Sequence, residues 1–402
     1  MNKKLIALAV AGACLVPEAM AQTANPVTLY GRAYVTFESV EAKGQVGSVG
    51  PVVRRNRVVD QSSLLGVRGT EDLGGGLKAF FQLETGFKLD QNDTTFAARN
   101  SGVGLQGAWG SVLLGRWDTP FKTTTIATDP FGDLTIGGIT SALSGSGVGN
   151  VSGLFDRRDQ NVVQYWSPSW MGLAVRLSYS ANEAKSSSPC TGYPAGRTCN
   201  PHSEGGSITY TGGPIYVGYA YHQLKDTAFG AFSISATTPP PFTFTTPVLP
   251  KHTANAIFGT FTFGPLKFGA IYEKLKRGDV PLATATPAAG TLLGFSDQKA
   301  WMANVTWTIG NHQLIYSYQN AKDGGPRYQT SATVLQPGEP DCKVNAAGYQ
   351  YNFSRRTFFL AQYSRVTNNA TATCNFGVGD ERVGITAGQD PQGFSLGLRH
   401  IF

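Results

Sequence analysis

The chain ends in GFSLGLRHIF, residues 393–402, where apolar residues alternate with polar or small ones. Successive side chains of an extended chain point to opposite sides, so Phe394, Leu396 and Leu398 share one face and Arg399 lies on the other. One face therefore suits an apolar environment and the other suits water. The stretch predicts a β-strand with two dissimilar faces, and no helical period competes with it.

The same two-residue period recurs along the chain from Val27 onward, in segments of roughly ten residues separated by turns. The connections alternate between short turns and long loops rich in Gly, Pro and Ser, as expected for strands that cross a bilayer and reverse at its two surfaces. The short turns are predicted near residues 71–75, 107–110, 167–171, 211–213, 263–265, 309–311 and 354–356.

The number of segments is about sixteen, and a closed sheet with an even number of strands of this size encloses a water-filled channel. We therefore predict an all-β fold, a transmembrane antiparallel β-barrel, with Phe402 at the seam between the last strand and the first. Rings collect at the headgroup level of a bilayer, so aromatic residues beside the turns favour this fold over a soluble secreted β protein. These residues are Trp109, Trp166, Trp170, Phe261, Phe263, Trp307, Phe353, Phe358 and Phe402.

The N-terminus predicts export. Lys3 and Lys4 precede an apolar run over residues 5–16, and Ala19 and Ala21 offer small side chains for cleavage. The run is shorter than the roughly 20 apolar residues of a membrane helix. We expect a signal peptide over 1–21 and a barrel domain over 22–402 in the cell outer membrane; a lipoprotein site at Cys14 is a weaker alternative because no polar linker follows it.

Composition excludes several classes of protein. A mean hydropathy of -0.14 with 41% apolar residues excludes a helical membrane protein. The net charge of +7 comes from residues dispersed along the chain, which argues against nucleic-acid binding and favours a basic cavity that attracts small anions. The five histidines are scattered without a ligand spacing, so we predict no metal, no cofactor and no enzymatic activity.

Four cysteines remain after removal of the signal peptide, and an even count in an exported chain predicts disulfide bonds. Cys190 and Cys199 share one Pro-, Gly- and Ser-rich segment and are the natural pair. Cys342 is then left to join Cys374. The absence of a C-x-x-C spacing argues against a metal site at these residues.

The longest connection spans residues 117–158 and is largely neutral and rich in Gly and Thr, unlike an exposed charged loop. Loops of this length are usually functional or disordered. Residues 130–132 form a rigid apolar corner between Asp129 and Asp133, and Asp118 lies at the start of the connection. Folded into the barrel, the connection would narrow the pore.

Several motifs occur in the order known from one family. They are LYGR at 29–32, GVRGTEDLG at 66–74, LGR at 114–116 and DPFGD at 129–133, followed by Arg158 with Asn161, Tyr165, Ser167 and Pro168. Together they cover nearly all of the chain beyond the predicted signal peptide. The sequence resembles the trimeric general porins of Gram-negative outer membranes, and among them the beta-proteobacterial branch.

The resemblance implies a passive channel for small hydrophilic solutes, in which basic wall residues face acids on an inward-folded loop. The positions that correspond to the basic wall are Arg32, Arg116 and Arg158, to which we add Arg157 and Arg68. Those assigned to the acidic loop are Asp129, Asp133 and Asp118. The resemblance further implies a homotrimer in contact with outer-membrane lipid and lipopolysaccharide, and recognition of Phe402 by the barrel-assembly machinery.

Strand parity gives an independent prediction for the lumen. It places on the inner face a set of basic residues, namely Arg32, Arg68, Lys78, Arg176, Lys267 and Arg399. Anion preference is the expected consequence. One position departs from the family, since Leu64 stands where many relatives have an arginine, and Arg54, Arg55 and Arg57 are candidates to compensate for it. An adhesin or receptor role of the long loops is the alternative function.

Overall fold

The computed structural model describes residues 27–91, 94–132, 135–143, 154–181, 198, 200–228, 248–277, 292–295, 297–323, 326–329, 334–335, 341–377 and 382–402. The predicted signal peptide, Asp133, and the predicted pair of Cys190 and Cys199 lie outside these residues.

Sixteen strands form one closed antiparallel barrel, which confirms the predicted fold. Each strand alternates inward and outward side chains and pairs with its neighbours in sequence. The strands are β1 (Val27–Lys43), β2 in two segments (Val52–Asp60 and Leu64–Gly74), β3 (Leu77–Phe87), β4 (Ser101–Gly107), β5 (Gly110–Asp118), β6 (Arg158–Trp166), β7 (Leu173–Ala181), β8 (His202–Gly212), β9 (Ile215–Ala228), β10 (Val248–Phe263), β11 (Leu266–Arg277), β12 (Gln298–Ile309), β13 (His312–Asp323), β14 (Asp341–Asn352), β15 (Thr357–Asn368) and β16 (Asp390–Ile401).

The remaining elements lie in the connections. Between β5 and β6 are helix α1 (Pro120–Thr125) and the 3-10 helices Ile126–Thr128 and Ile139–Ser141. A two-residue strand, Thr94–Thr95, pairs with β3, and three short strands, Leu292–Phe295, Pro326–Gln329 and Val334–Leu335, form a separate small sheet. Among the described residues, no helix has the length and apolarity required to span a bilayer.

The barrel closes where β1 pairs with β16, from Arg32 opposite Ile401 to Lys43 opposite Asp390. Beyond β16, the Gly31 N–H donates to the Phe402 carbonyl at 2.9 Å, and the Phe402 N–H donates to the Gly31 carbonyl at 3.0 Å. Phe402 therefore lies beside β1, at the seam between the last strand and the first. Closure matters because an unpaired backbone group in hydrocarbon costs several kcal/mol.

The outer face of the wall is apolar and the inner face is polar, which is the reverse of a soluble β-sandwich. Leu29 is 63% exposed and Leu398 is 56% exposed on the outer surface, whereas Glu38 and Gln319 point inward and are buried. An apolar outside and a polar inside are the signature of a barrel in lipid.

Most of the predicted aromatic residues beside the turns face outward, for example Trp170 and Phe263. The prediction is wrong for Trp166 and Phe358. Trp166 stacks against Phe80 and Phe358 packs edge-on against Tyr34, both inside the barrel. Their position in the alternation of the strand, rather than their nearness to a turn, determines whether they face the lipid or the lumen.

Packing at the seam gives a first test. A methyl group on Gly31 would overlap the Phe402 ring and lie 2.8 Å from the Leu64 carbonyl oxygen. We expect Gly31→Ala to destabilise the barrel by roughly 1–3 kcal/mol, the usual cost of overpacking. The effect is measured by incubating samples at increasing temperatures and recording the temperature at which the band of the folded form disappears from the gel.

Gly50→Ala is the matched control, since no atom lies within 4 Å of the position its methyl group would take. A Gly31→Ala protein as resistant to heat as the Gly50→Ala protein would contradict the packing of Phe402 against β1.

Candidate functional site

The connection between β5 and β6 begins with a capped helix. Thr119 accepts a hydrogen bond from the Lys122 N–H at 3.2 Å, and Pro120 occupies the first turn of α1. The hydroxyl of Thr124 donates to the Pro120 carbonyl at 2.7 Å, and that of Thr125 donates to the Phe121 carbonyl at 2.8 Å. Threonines whose hydroxyl groups are satisfied by their own helix can be buried, which explains the neutral Thr-rich sequence.

Asp129 shapes the next turn of this connection. One carboxylate oxygen accepts the Phe131 N–H at 3.0 Å and the other accepts the Ile139 N–H at 2.8 Å. Gly132 adopts a φ of 83°, a left-handed conformation that favours glycine. The acidic residue of the loop motif is therefore also the residue that folds the loop.

The described residues of this connection lie inside the barrel, against the inner wall. The Asn304 side chain donates to the Thr128 carbonyl at 2.9 Å, and the Gln319 side chain donates to the carbonyls of Gly137 and Gly138 at 3.2 and 3.0 Å. Apolar packing accompanies these bonds, and its buried residues from the loop and the wall include Phe121, Phe131, Ile136, Ile139, Leu143, Phe155, Phe258, Ile271, Leu275, Met302, Ile315 and Leu360. The loop consequently occupies part of the lumen and narrows it.

At the long-loop ends of β5 and β6, basic and acidic residues are paired. The Arg158 guanidinium lies 3.0 Å from the Asp118 carboxylate and 2.6 Å from the Asn100 side-chain oxygen. Arg157 lies 2.5 Å from Asp159, a buried residue, and Lys122 contacts Asp156 at 3.0 Å. Charges paired in this way contribute little net field to the passage.

Two of the predicted site residues, Asp118 and Arg116, lie in or beside this group of ion pairs. Asp118 is the last residue of β5, so it lies on the wall beside Arg158 rather than on the loop. Arg116 lies within electrostatic range of both. Its Nε is buried and has no hydrogen-bond partner among the described residues.

Toward the short turns, lumen arginines stack on aromatic rings. Arg68 lies 5.0 Å from the ring of Tyr30, Arg176 lies 5.7 Å from the ring of Trp166, and Arg399 lies 4.6 Å from the ring of Phe358. Within the described parts of the chain, none of these three arginines has a carboxylate within ion-pair distance. A ring holds the guanidinium in place without neutralising its charge.

A pocket of about 380 Å³ lies between the loop and the wall formed by β13 to β16, β1 and β2. Arg32, Arg355 and Arg399 line its wall side, and Asp129 lines its loop side. Arg32 is oriented by two hydrogen bonds to the Ser62 carbonyl, at 2.6 and 3.2 Å. The pocket therefore brings basic wall residues opposite an acidic loop residue.

The predicted residues thus fall into separate groups. Arg32 and Asp129 line the same pocket. Arg158 pairs with Asp118 near the loop base, with Arg116 within electrostatic range of both, and Arg68 lies apart near the short turns. Sequence reasoning missed Arg355, because strand parity gives no information about a residue in a turn.

The candidates to replace the charge lost at Leu64 are partly neutralised. Leu64 lies opposite Arg32 on the inner face. Arg57 is paired with Glu38 at 2.7 Å and Arg54 with Glu41 at 2.8 Å, whereas Arg55 makes no ion pair among the described residues. Arg57 and Arg54 therefore do not add free positive charge to the lumen.

Comparison with known proteins agrees with this architecture. A family model described as Gram-negative porin matches residues 6–371. The chain belongs to this family. It is an outer-membrane channel and not an enzyme.

Similar proteins include porins of beta-proteobacteria. Outer membrane porin protein 32 of Delftia acidovorans is 28% identical over 421 residues, covering 100% of both proteins. The anion-selective porin from Comamonas acidovorans has a TM-score of 0.68 and 21% identity over 94% of this chain and 100% of its own. The trimer form of OmpT from Vibrio cholerae has a TM-score of 0.64 and 16% identity over 94% of this chain and 100% of its own.

The porin has a second segment that folds inward between β15 and β16, and its described residues are 369–377 and 382–389. Ala372, Phe376 and Val383 are fully buried in the same apolar cluster as wall residues such as Val40 and Val344. The predicted disulfide between Cys342 and Cys374 is present and ties this segment to β14.

Two amide side chains complete the attachment of this segment. The Asn368 side chain donates to the carbonyls of Cys374 and Gln389, at 3.0 and 2.7 Å. The Gln389 side chain donates to the carbonyls of Gly44 and Gly50, at 3.2 and 2.8 Å. The segment therefore covers part of the mouth at the long-loop end.

The anchoring of the long loop can be tested at Gln319. Gln319→Leu leaves the buried carbonyls of Gly137 and Gly138 without their donor, at a cost of about 1–3 kcal/mol. A loosened loop obstructs the lumen less firmly, so we expect a larger mean single-channel conductance with more current fluctuations in planar bilayers.

Gln106→Leu provides the control for this experiment. Gln106 lies on the inner face opposite Lys78 and makes no hydrogen bond to the described residues of the loop. Equal conductance in the Gln319→Leu and Gln106→Leu channels would show that Gln319 does not anchor the constriction.

The disulfide gives an independent test of the second segment. Replacing both Cys342 and Cys374 by Ser should release this segment from the mouth and lower the free energy of unfolding by about 2–4 kcal/mol. We expect a larger conductance and faster proteolysis near Cys374. Adding reductant to the double variant separates any effect of the other cysteines, and a double variant with the conductance of the original channel would contradict the role of this segment.

Proposed function

We propose that this porin is a passive channel for small hydrophilic solutes that prefers anions. The observation that carries the proposal is the set of lumen arginines held by aromatic rings, Arg68, Arg176 and Arg399. Because no described carboxylate neutralises them, their charges act on any ion that passes. Fixed charges act more strongly in a narrow passage with low-dielectric walls than in bulk water.

The pocket between loop and wall adds a directional component. Three arginines on the wall, Arg32, Arg355 and Arg399, face Asp129 on the loop. The two oxygens of Asp129 already accept backbone hydrogen bonds, so its charge is partly engaged in holding the loop. The net charge around the pocket is positive, and a solute with an anionic group would align across it.

Two similarities support the proposal. One solved structure with this fold is described as an anion-selective porin. Another is described as a trimer form, and together with the family resemblance it leads us to propose that this chain also assembles as a homotrimer.

Reversal potential under a salt gradient tests the selectivity. We expect a sign that reports anion preference for the unmodified channel. Arg68→Gln, Arg176→Gln and Arg399→Gln combined should shift the potential toward cations, because each change removes one uncompensated charge from the lumen. A cation-selective unmodified channel would overturn the proposal.

A charge-matched variant controls for net charge alone. Lys251, Lys299 and Lys343 are exposed on the outer surface of the barrel, so replacing all three by Gln removes the same charge outside the lumen. An equal shift of reversal potential in both triple variants would show that the lumen arginines have no special role.

A further inference from the structure

Three aromatic side chains meet on the inner face of the barrel, on the side of the lumen formed by β3 to β6. They are Phe80 of β3, Trp117 of β5 and Trp166 of β6, and we call them the ring cluster. The ring centroid of Trp166 lies 6.4 Å from that of Phe80 and 5.4 Å from that of Trp117. Trp166 is therefore the centre of the cluster.

Small residues on the intervening strands allow these rings to meet. Gly104 of β4 lies opposite Phe80, and Ser111 of β5 lies opposite Trp166. A methyl group on Gly104 would lie 2.5 Å from the Phe80 ring. The two strands between Phe80 and Trp166 thus leave space above the wall, which the rings occupy.

The cluster presents an aromatic surface to a lumen that is otherwise polar. Phe80, Trp117 and Trp166 are each partly exposed, although they lie on the inner side of the wall. The polar edge of Trp166 is satisfied within the protein, because its indole N–H donates to the Gln164 side chain at 3.0 Å. Apolar surface in contact with water is unfavourable, so a solute with an apolar part is stabilised when it covers these rings.

A positive charge adjoins this aromatic surface. The Arg176 guanidinium lies 5.7 Å from the ring of Trp166, and among the described residues no carboxylate lies within ion-pair distance of it. Tyr216 lies within electrostatic range of Arg176, and its hydroxyl donates to the Thr124 carbonyl at 3.2 Å. The neighbouring residues therefore leave the charge of Arg176 uncompensated.

The pocket between the loop and the wall has a different composition. Three arginines line it together with amide side chains such as Gln313 and Gln350. That lining suits small hydrophilic anions. One cation beside several rings suits instead a solute that combines one negative charge with a flat apolar group.

We propose that the ring cluster and Arg176 form a binding site for carboxylates that carry an aromatic ring, of which benzoate is the simplest. The inference rests on the anion preference proposed above and names a class of anion. The solute ring packs against Phe80 and Trp117, and the planar fork of the Arg176 guanidinium donates to the carboxylate. The short turns face the periplasm, so an entering solute meets this site after the loop between β5 and β6.

The test records the current of the full-length porin in planar bilayers in potassium chloride while a solute is added. Binding in the lumen is read as block, the fractional decrease of the mean current. Benzoate should block at concentrations about tenfold or more below those of acetate, which lacks the ring, or benzyl alcohol, which lacks the charge.

Two sets of variants separate the ring from the charge. Phe80→Leu and Trp117→Leu combined should weaken the block by about fivefold or more, because two aromatic contacts are lost. Phe80→Leu alone, which leaves the start of the loop unchanged, should weaken it by a smaller factor. Arg176→Gln keeps the rings and should weaken the block by about tenfold, because the charged donor is lost.

Trp170→Leu combined with Phe263→Leu is the matched control. It removes one indole and one phenyl ring that are 70% and 69% exposed on the outer surface. Block by benzoate should stay within about twofold of that of the original channel, since these rings lie away from the lumen site. Unheated gel mobility shows that each variant is folded.

Three results would overturn the site: block by benzoate no stronger than by acetate or benzyl alcohol, equal block in the ring variant and the matched control, or equal block by glucose. Reversal potential in the same bilayers separates this inference from the proposed function. A cation-selective channel that benzoate blocks in the predicted way would overturn the anion preference and support the site. An anion-selective channel that benzoate does not block would overturn the site alone.

Discussion

Backbone hydrogen bonding in a medium without water is the constraint on which this structure depends. Every N–H and C=O group in the hydrocarbon layer must find a partner inside the protein. The pairing of β1 with β16, extended by the reciprocal bonds between Gly31 and Phe402, removes the last open edge. Closure also creates the lumen, so the same hydrogen bonds that stabilise the wall define the space in which solutes move.

The polar groups that line the inside of the closed wall need hydrogen-bond partners. The loop between β5 and β6 meets this requirement by turning its threonine hydroxyls onto its own backbone and by receiving Gln319 and Asn304 from the wall. Its apolar residues pack against inward-facing Phe258. Selectivity is thus built on a loop whose position is fixed by ordinary packing and hydrogen bonding.

Much of this architecture is predictable from the sequence, because a period of two residues determines which face each strand residue occupies. Parity correctly places Arg176 and Arg399 in the lumen. It gives no assignment where the strand is irregular or absent. The register shifts between Gly115 and Trp117, next to Arg116, and Arg355 lies in a turn.

Pairing between distant residues is a second limit of sequence reasoning. Nothing in the local sequence distinguishes Arg57, which is paired with Glu38, from Arg399, which stacks on Phe358. The same holds for the described residues between β15 and β16, 369–377 and 382–389, whose inward fold depends on contacts with β1 and β14 that only the closed barrel brings together. Which lumen charges remain free to act on a solute is therefore determined by the tertiary structure and not by the local sequence.

The stacking of lumen arginines on rings has an evolutionary consequence. Among the described residues, each of these guanidinium groups lies against one aromatic ring and has no ion-pair partner, as Arg68 lies against Tyr30. The closure of the wall rests on backbone pairing and on the lipid-facing residues, so exchanging an inner arginine leaves the scaffold intact. A lineage can therefore change the solutes it admits by single substitutions on the inner face while the outer face and the fold are conserved.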